Sequence, residues 1–169
     1  MVDNGGTPLA ARGALPYLPA KHATISAGER MLVAAYPAEL VGGETIADNF
    51  YPTTAFANVI QKYTFEDTRN TDLFSVGGSV VSQSGSSGGA AVRADGTLAG
   101  LISTASLDGA TSERQLRAIT IGHINRSLAA QGAGSLATLL EGNLQSKALT
   151  FESETAPRLI DLLVDALED

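Results

Sequence analysis

Gly85-Ser86-Ser87-Gly88-Gly89 is the stretch of this sequence whose residue types could do chemistry. A serine held between glycines can present its hydroxyl from a tight turn, because no neighbouring side chain blocks an approaching carbonyl. Ser87 is that serine. The backbone N–H groups of Gly85 and Ser87 can point to one side of such a turn, where they would bind the oxyanion formed when an acyl carbon is attacked. The chemistry these residues suit is acyl transfer.

Gly/Ser-rich runs are commonly linkers, but the flanks of this one argue for an anchored loop. Val80-Val81 precede it, and Ala90-Ala91-Val92 and Leu98-Ala99-Gly100-Leu101-Ile102 follow it as apolar runs of strand length. Asp95-Gly96 between the last two is a hairpin turn signal. The five residues also satisfy Gly-x-Ser-x-Gly, the nucleophile elbow of α/β-hydrolases. An elbow needs a helix straight after the serine, whereas Gly88-Gly89 are poor helix formers and lead into a strand pair.

Together, Gly85-Ser86-Ser87-Gly88-Gly89, the Asp95-Gly96 hairpin and Gly100-Leu101-Ile102-Ser103 resemble the nucleophile region of chymotrypsin-fold, trypsin-like serine peptidases, the bacterial HtrA-like forms above all. That family carries Gly-x-Ser-Gly-Gly, usually followed by proline. Here Ala90 replaces the proline, and Ser86 replaces the aspartate that pairs with a new N-terminus in members activated by cleavage. The resemblance implies a serine endopeptidase acting on polypeptides through an acyl-enzyme on Ser87, with Gly85 and Ser87 as the oxyanion hole. It places the floor of the substrate pocket six residues before the nucleophile, at Val81, and its walls at Ser103, Thr104 and Ala105. A floor without a carboxylate cannot pair a lysine or arginine, so cleavage would follow a small or medium apolar residue.

The elements that would position these residues read as a mainly β chain, an antiparallel β-barrel with a C-terminal helical tail. Residues 1–28 alternate turn signals and prolines, and the Leu-Pro-rich Leu15-Pro16-Tyr17-Leu18-Pro19 resembles the connector between the family's two barrels. Residues 29–122 then form the second barrel. Its strands lie within 28–37, 57–65, 73–76, the two flanks of Asp95-Gly96, and 117–121; residues 38–56 form a polar insertion. From Gly122 the apolar period changes, and 123–169 read as helices. Ile124 and Leu128 open the first, Ser135 caps a second, and a third starts at Thr155-Ala156-Pro157 with Ile160, Leu163, Val164 and Leu167 on one face. Glu152 and Glu154 fall in a loop on this reading.

A serine nucleophile needs a base, and the base an orienting acid. In the chymotrypsin arrangement these lie roughly 140 and roughly 90 residues before the serine, but only 86 residues precede Ser87. Asp3 reads as a turn residue and His22 as a surface residue of the connector. The resemblance therefore implies a chain lacking the half that carries base and acid, inactive or weakly active alone, with Leu15, Tyr17 and Leu18 along the face where another segment would supply the first barrel. A catalytically silent peptide-binding module is the alternative from another class. A third reading, an esterase using Ser87, Asp108 and His123, follows the residue order of α/β-hydrolases, although strands grouped before helices do not suit that fold.

Eleven basic against 18 acidic residues give a net charge of −7, which opposes binding to phosphate backbones. No apolar run reaches the length of a membrane span. Without cysteine, and with two distant histidines, neither a disulfide framework nor a metal site is expected.

Overall fold

The computed structural model describes residues 17–38, 51–65, 69–105, 109–110 and 113–168. Six strands, β1 (Arg30–Ala35), β2 (Thr53–Tyr63), β3 (Leu73–Val76), β4 (Ala90–Val92), β5 (Leu98–Ala105) and β6 (Leu116–Thr120), pair antiparallel in the order β1-β2-β3-β6-β5-β4. Pairing of Leu32 with Val92 closes the barrel, so no strand edge is left unpaired. Four helices follow: α1 (Ile121–Ala130), α2 (Leu136–Leu140), α3 (Leu144–Thr150) and α4 (Ala156–Glu168), with a π-helical turn (Phe151–Thr155) between α3 and α4.

Alternation along the strands decides what is inside. Met31, Val33 and Ala35 of β1 are buried, while Arg30 is exposed and Leu32 and Ala34 are half-buried, the period-two pattern of a strand with one face on a core. Phe74 and Val76 of β3, Ile102 of β5, and Leu116 and Ala118 of β6 meet them inside. Register shifts at Val59/Gln61, Ala91/Val92 and Ile102/Thr104 supply the local bends that let so few strands close. Gly100 marks the tightest point: a Cβ there would run into the Ile119 carbonyl and lie 3.0 Å from the Phe74 ring.

Several boundaries differ from the sequence reading. β2 begins at Thr53, not after residue 56, because β1 offers it partners down to Ala35↔Thr53. The segment ahead of β1 is more than a connector. Ile25 is buried in the core, Ala20 bridges Leu98, and the Leu98 N–H donates to the Pro19 carbonyl at 2.9 Å. Arg93 holds this segment, donating to the Thr24 carbonyl at 2.8 Å and pairing with Glu29 at 2.8 Å. Arg93→Ala should therefore cost about 1.5–3 kcal/mol, the range for hydrogen bonds to charged groups, measured as a lower urea midpoint; an unchanged midpoint would mean that Ile25 alone anchors the segment.

The chain divides into two compact units, residues 1–127 and 128–169, with α1 up to Ser127 in the barrel unit. In the second unit Ser135 accepts from the Thr138 N–H and caps α2 as expected. Glu152 and Glu154 lie in the π-helical turn instead of a loop. Pro157 explains the turn: proline has no N–H to donate and crowds the preceding turn of an α-helix, and here the Ala156 N–H reaches back to the Phe151 carbonyl. No described helix is long and apolar enough to cross a membrane.

Candidate active site

The loop between β3 and β4 is built largely on its own hydrogen bonds. The Ser82 N–H donates to the Ser79 carbonyl at 2.8 Å, and the Ser82 hydroxyl accepts from the Ser79 N–H at 3.0 Å. The Ser86 hydroxyl, 2% exposed, donates to the Val81 carbonyl at 2.6 Å. One bond ties the loop to the segment that follows β1, from the Ala38 N–H to the Ser84 carbonyl at 2.8 Å. Two backbone bonds tie it to β5, from Gly88 N–H to the Ile102 carbonyl at 2.7 Å and from Ile102 N–H to the Gly89 carbonyl at 2.8 Å.

Gly85 and Gly88, on either side of Ser87, are glycine for separate reasons. Gly85 has φ of 87°, and a Cβ on it would lie 2.8 Å from the Ala38 nitrogen and 3.0 Å from the Tyr36 carbonyl oxygen. Gly88 also has positive φ, 85°, but faces open space. A tight, left-handed residue before Ser87 and an unobstructed one after it leave the serine on an exposed turn. Its hydroxyl donates to the Ser103 carbonyl at 3.0 Å. The N–H groups of Gly85 and Ser87 make no hydrogen bond to any described residue. After Ser87 the chain turns into β4, not into a helix, so the elbow geometry is absent.

No known family profile matches this chain, and no curated protein does. Solved structures do resemble it. An inactive-form alanine mutant of Rv3671c from M. tuberculosis H37Rv superposes with a TM-score of 0.51 at 20% identity, over 70% of this chain and 55% of that one. The inactive form of the Rv3671c protease gives 0.51 at 21%, over 70% and 57%. The barrel has the chymotrypsin fold. The chain spans little more than half the length of these chymotrypsin-fold neighbours.

Within the chymotrypsin-fold barrel the other expected site residues are placed as follows. Ser103 is half-buried on β5 beside Ser87, and Thr104 and Ala105 continue that strand opposite Arg117 and Leu116. Val81, expected at the floor of a pocket, is fully buried among the core residues. Gln83 is buried beside it, its Nε2 donating to the Val80 carbonyl at 3.0 Å while its Oε1 has no partner among the described residues. Asp3, Leu15 and Asp108 lie outside the described residues. Tyr17 and Leu18 are exposed.

His123 lies in the first turn of α1, and neither histidine is hydrogen-bonded to Ser87. The His22 ring occupies the space beside Gly122. His123 Nδ1 lies 3.0 Å from an Asp72 carboxylate oxygen, and its Nε2 lies 3.3 Å from the Ser127 hydroxyl. Arg126 pairs with the same Asp72 oxygen, and the Phe65 N–H donates to the other at 2.8 Å. Asp72 precedes the first residue of β3, and the loop bearing Ser87 leaves after its last, which separates the two ends by roughly 13 Å at the rise of a strand. Asp72 was not singled out in the sequence; a lone aspartate before a short strand carries no periodic signal. Burial works to raise its pKa, but the bonds from Phe65, His123 and Arg126 outweigh that and hold it below the usual 3.8. Among the described residues no group of three metal-ligating side chains converges.

Proposed function

We propose that Ser87 is the nucleophile of a serine-type endopeptidase and that its general base and orienting acid are supplied by a different polypeptide segment from the residues described above. The observation that supports this reading most is the pairing of an exposed hydroxyl on a glycine turn with two N–H groups, of Gly85 and Ser87, that no described residue uses. In the reaction the Ser87 oxygen would attack the scissile carbonyl, its proton would pass to the incoming base, and the carbonyl oxygen would gather its charge against those two N–H groups. The leaving amine would then take the proton from the base, and water would release the acyl group.

His123 cannot be that base where it stands, since its ring nitrogens face Asp72 and Ser127. A segment bringing the base needs a surface to rest on. The outer face of β1 and β2 offers Phe56, 63% exposed, stacked under Arg30 at 4.3 Å, with Ile60 exposed beside it. A cleft of about 510 Å³ lies between these residues and Gly77-Gly78. Such aromatic and arginine surfaces are the ones interfaces favour.

Chemical rescue tests the assignment. The chain alone should hydrolyse activated esters slowly, and added imidazole should accelerate acyl transfer to Ser87 in proportion to its concentration, beyond its reaction with the ester in buffer. Mass spectrometry should find the acyl group on the peptide containing Ser87. Small apolar acyl groups should react faster than cationic ones, because Val81, Ser82, Gln83 and Ser86, the buried members of the loop, include no carboxylate. Equal rates in Ser87→Ala would end the reading. The silent binding module gains from the observation that the Ser87 hydroxyl is bonded to the Ser103 carbonyl and not to an imidazole; it predicts peptide binding with no acyl group on Ser87 at any imidazole concentration.

A further inference from the structure

The helical unit that begins at Leu128 builds no core of its own. No described residue from 128 to 167 is buried. α2 has five residues, α3 seven and α4 thirteen, and isolated helices shorter than about 12–15 residues are marginal in water. Yet the apolar side chains are large and continuous. At 3.6 residues per turn Ile160, Leu163, Val164 and Leu167 share one face of α4, with Leu159 and Leu162 widening it, so that roughly two-thirds of the circumference is apolar. Leu163 is 66% and Leu167 87% exposed. Arg158, Asp161 and Asp165 lie together on the remaining third.

From Leu149 to Leu167 the exposed apolar side chains offer on the order of 800 Å², which is what one partner contributes to an interface of standard size. The charges favour a particular occupant. Because Asp161 and Asp165 lie opposite the centre of the apolar face, two copies of α4 meeting face to face keep their carboxylates apart and in water. A repulsive register, with acid against acid, arises only if the helices meet on the polar side.

We propose that residues 128–168 form a self-association element, in which the apolar face of α4 packs against the same face of a second copy of this chain. A two-fold arrangement is self-complementary here, since each helix presents the surface the other requires. The Phe151–Thr155 turn and Pro157 would hold that face at a fixed phase relative to α3.

Sedimentation equilibrium of the full chain between 1 and 100 µM tests the proposal. A monomer–dimer equilibrium is expected, weakened at least 100-fold in Leu163→Asp and in Ile160→Asp, while imidazole-promoted labelling of Ser87 stays measurable in both and reports that the barrel is intact. Phe56→Asp and Tyr17→Ser, on apolar residues of the barrel unit, should leave the dimer unchanged. A monomer throughout the range would overturn the proposal, as would a dimer that dissociates in Phe56→Asp or Tyr17→Ser but persists in Leu163→Asp. A monomer that sediments with phosphatidylcholine vesicles would overturn it in favour of a lipid surface.

Discussion

Asp72→Ala should unfold this protein more readily than any other single polar substitution. Asp72 is 4% exposed, and its carboxylate collects the Phe65 N–H from one part of the chain and His123 and Arg126 of α1 from another. Removing it leaves the Phe65 N–H without its acceptor and two basic side chains facing each other. Loss of one partner of a buried pair costs 3–5 kcal/mol when both charges are fully enclosed; Arg126 is 37% exposed and regains water, so about 2–4 kcal/mol is expected. The pH dependence has a definite sign. The carboxyl is more acidic in the folded chain than in the unfolded one, so its contribution is complete above about pH 4 and is lost as pH falls through the lower folded value. Urea midpoints of wild type and Asp72→Ala should converge below that pH. A constant gap between them down to pH 2 would show that the carboxylate's charge is not what holds α1 to the barrel.

Gly85→Ala is the second large effect, and it should strike the loop and the chemistry together. The added methyl would meet the Ala38 nitrogen at 2.8 Å on a backbone already at φ 87°. Strain of about 1–3 kcal/mol from the left-handed conformation adds to a clash with backbone atoms that cannot rotate aside. The loop has to move away from the segment after β1, breaking the bond from Ala38 to Ser84 and displacing one of the two N–H groups proposed to bind the oxyanion. Imidazole-promoted acylation of Ser87 should fall at least 100-fold, the usual consequence of losing one such donor, and the urea midpoint should drop with it. Gly88→Ala is the comparison. It carries the same unfavourable φ but has open space around it, so it should lose stability without the steric part. Equal losses in the two variants would mean that strain alone, and not contact with Tyr36 and Ala38, sets the position of the loop.

What could be read without coordinates follows from how local each signal is. The glycine turn around Ser87 and the hairpin at Asp95-Gly96 are spelled out by adjacent residues, and the antiparallel barrel carries both where expected. β1 was legible because its alternation is clean. The first residues of β2 were not, since Pro52-Thr53-Thr54 looks like a loop until β1 supplies hydrogen-bond partners for it. Ile25 is one apolar residue in a polar run, and only the closing of the barrel gives it a core to enter. Asp72 is the extreme case: its side-chain partners lie 51 and 54 residues away, so nothing near it in the chain announces its role. His123 looked like a spare catalytic residue for the same reason.

The hydroxyl of Ser86 has a consequence for how the nucleophile loop responds to its surroundings. A loop shaped by a carboxylate and an ammonium group keeps its form only while both are ionised and while salt does not compete strongly for them. Here the closure between Ser86 and Val81 is neutral on both sides and shut off from solvent. The turn that presents Ser87 is thus assembled by folding itself, with no charge to switch on. It should hold its shape from mildly acidic to mildly alkaline solution and from dilute buffer to molar salt, leaving control over reactivity to whatever brings the base.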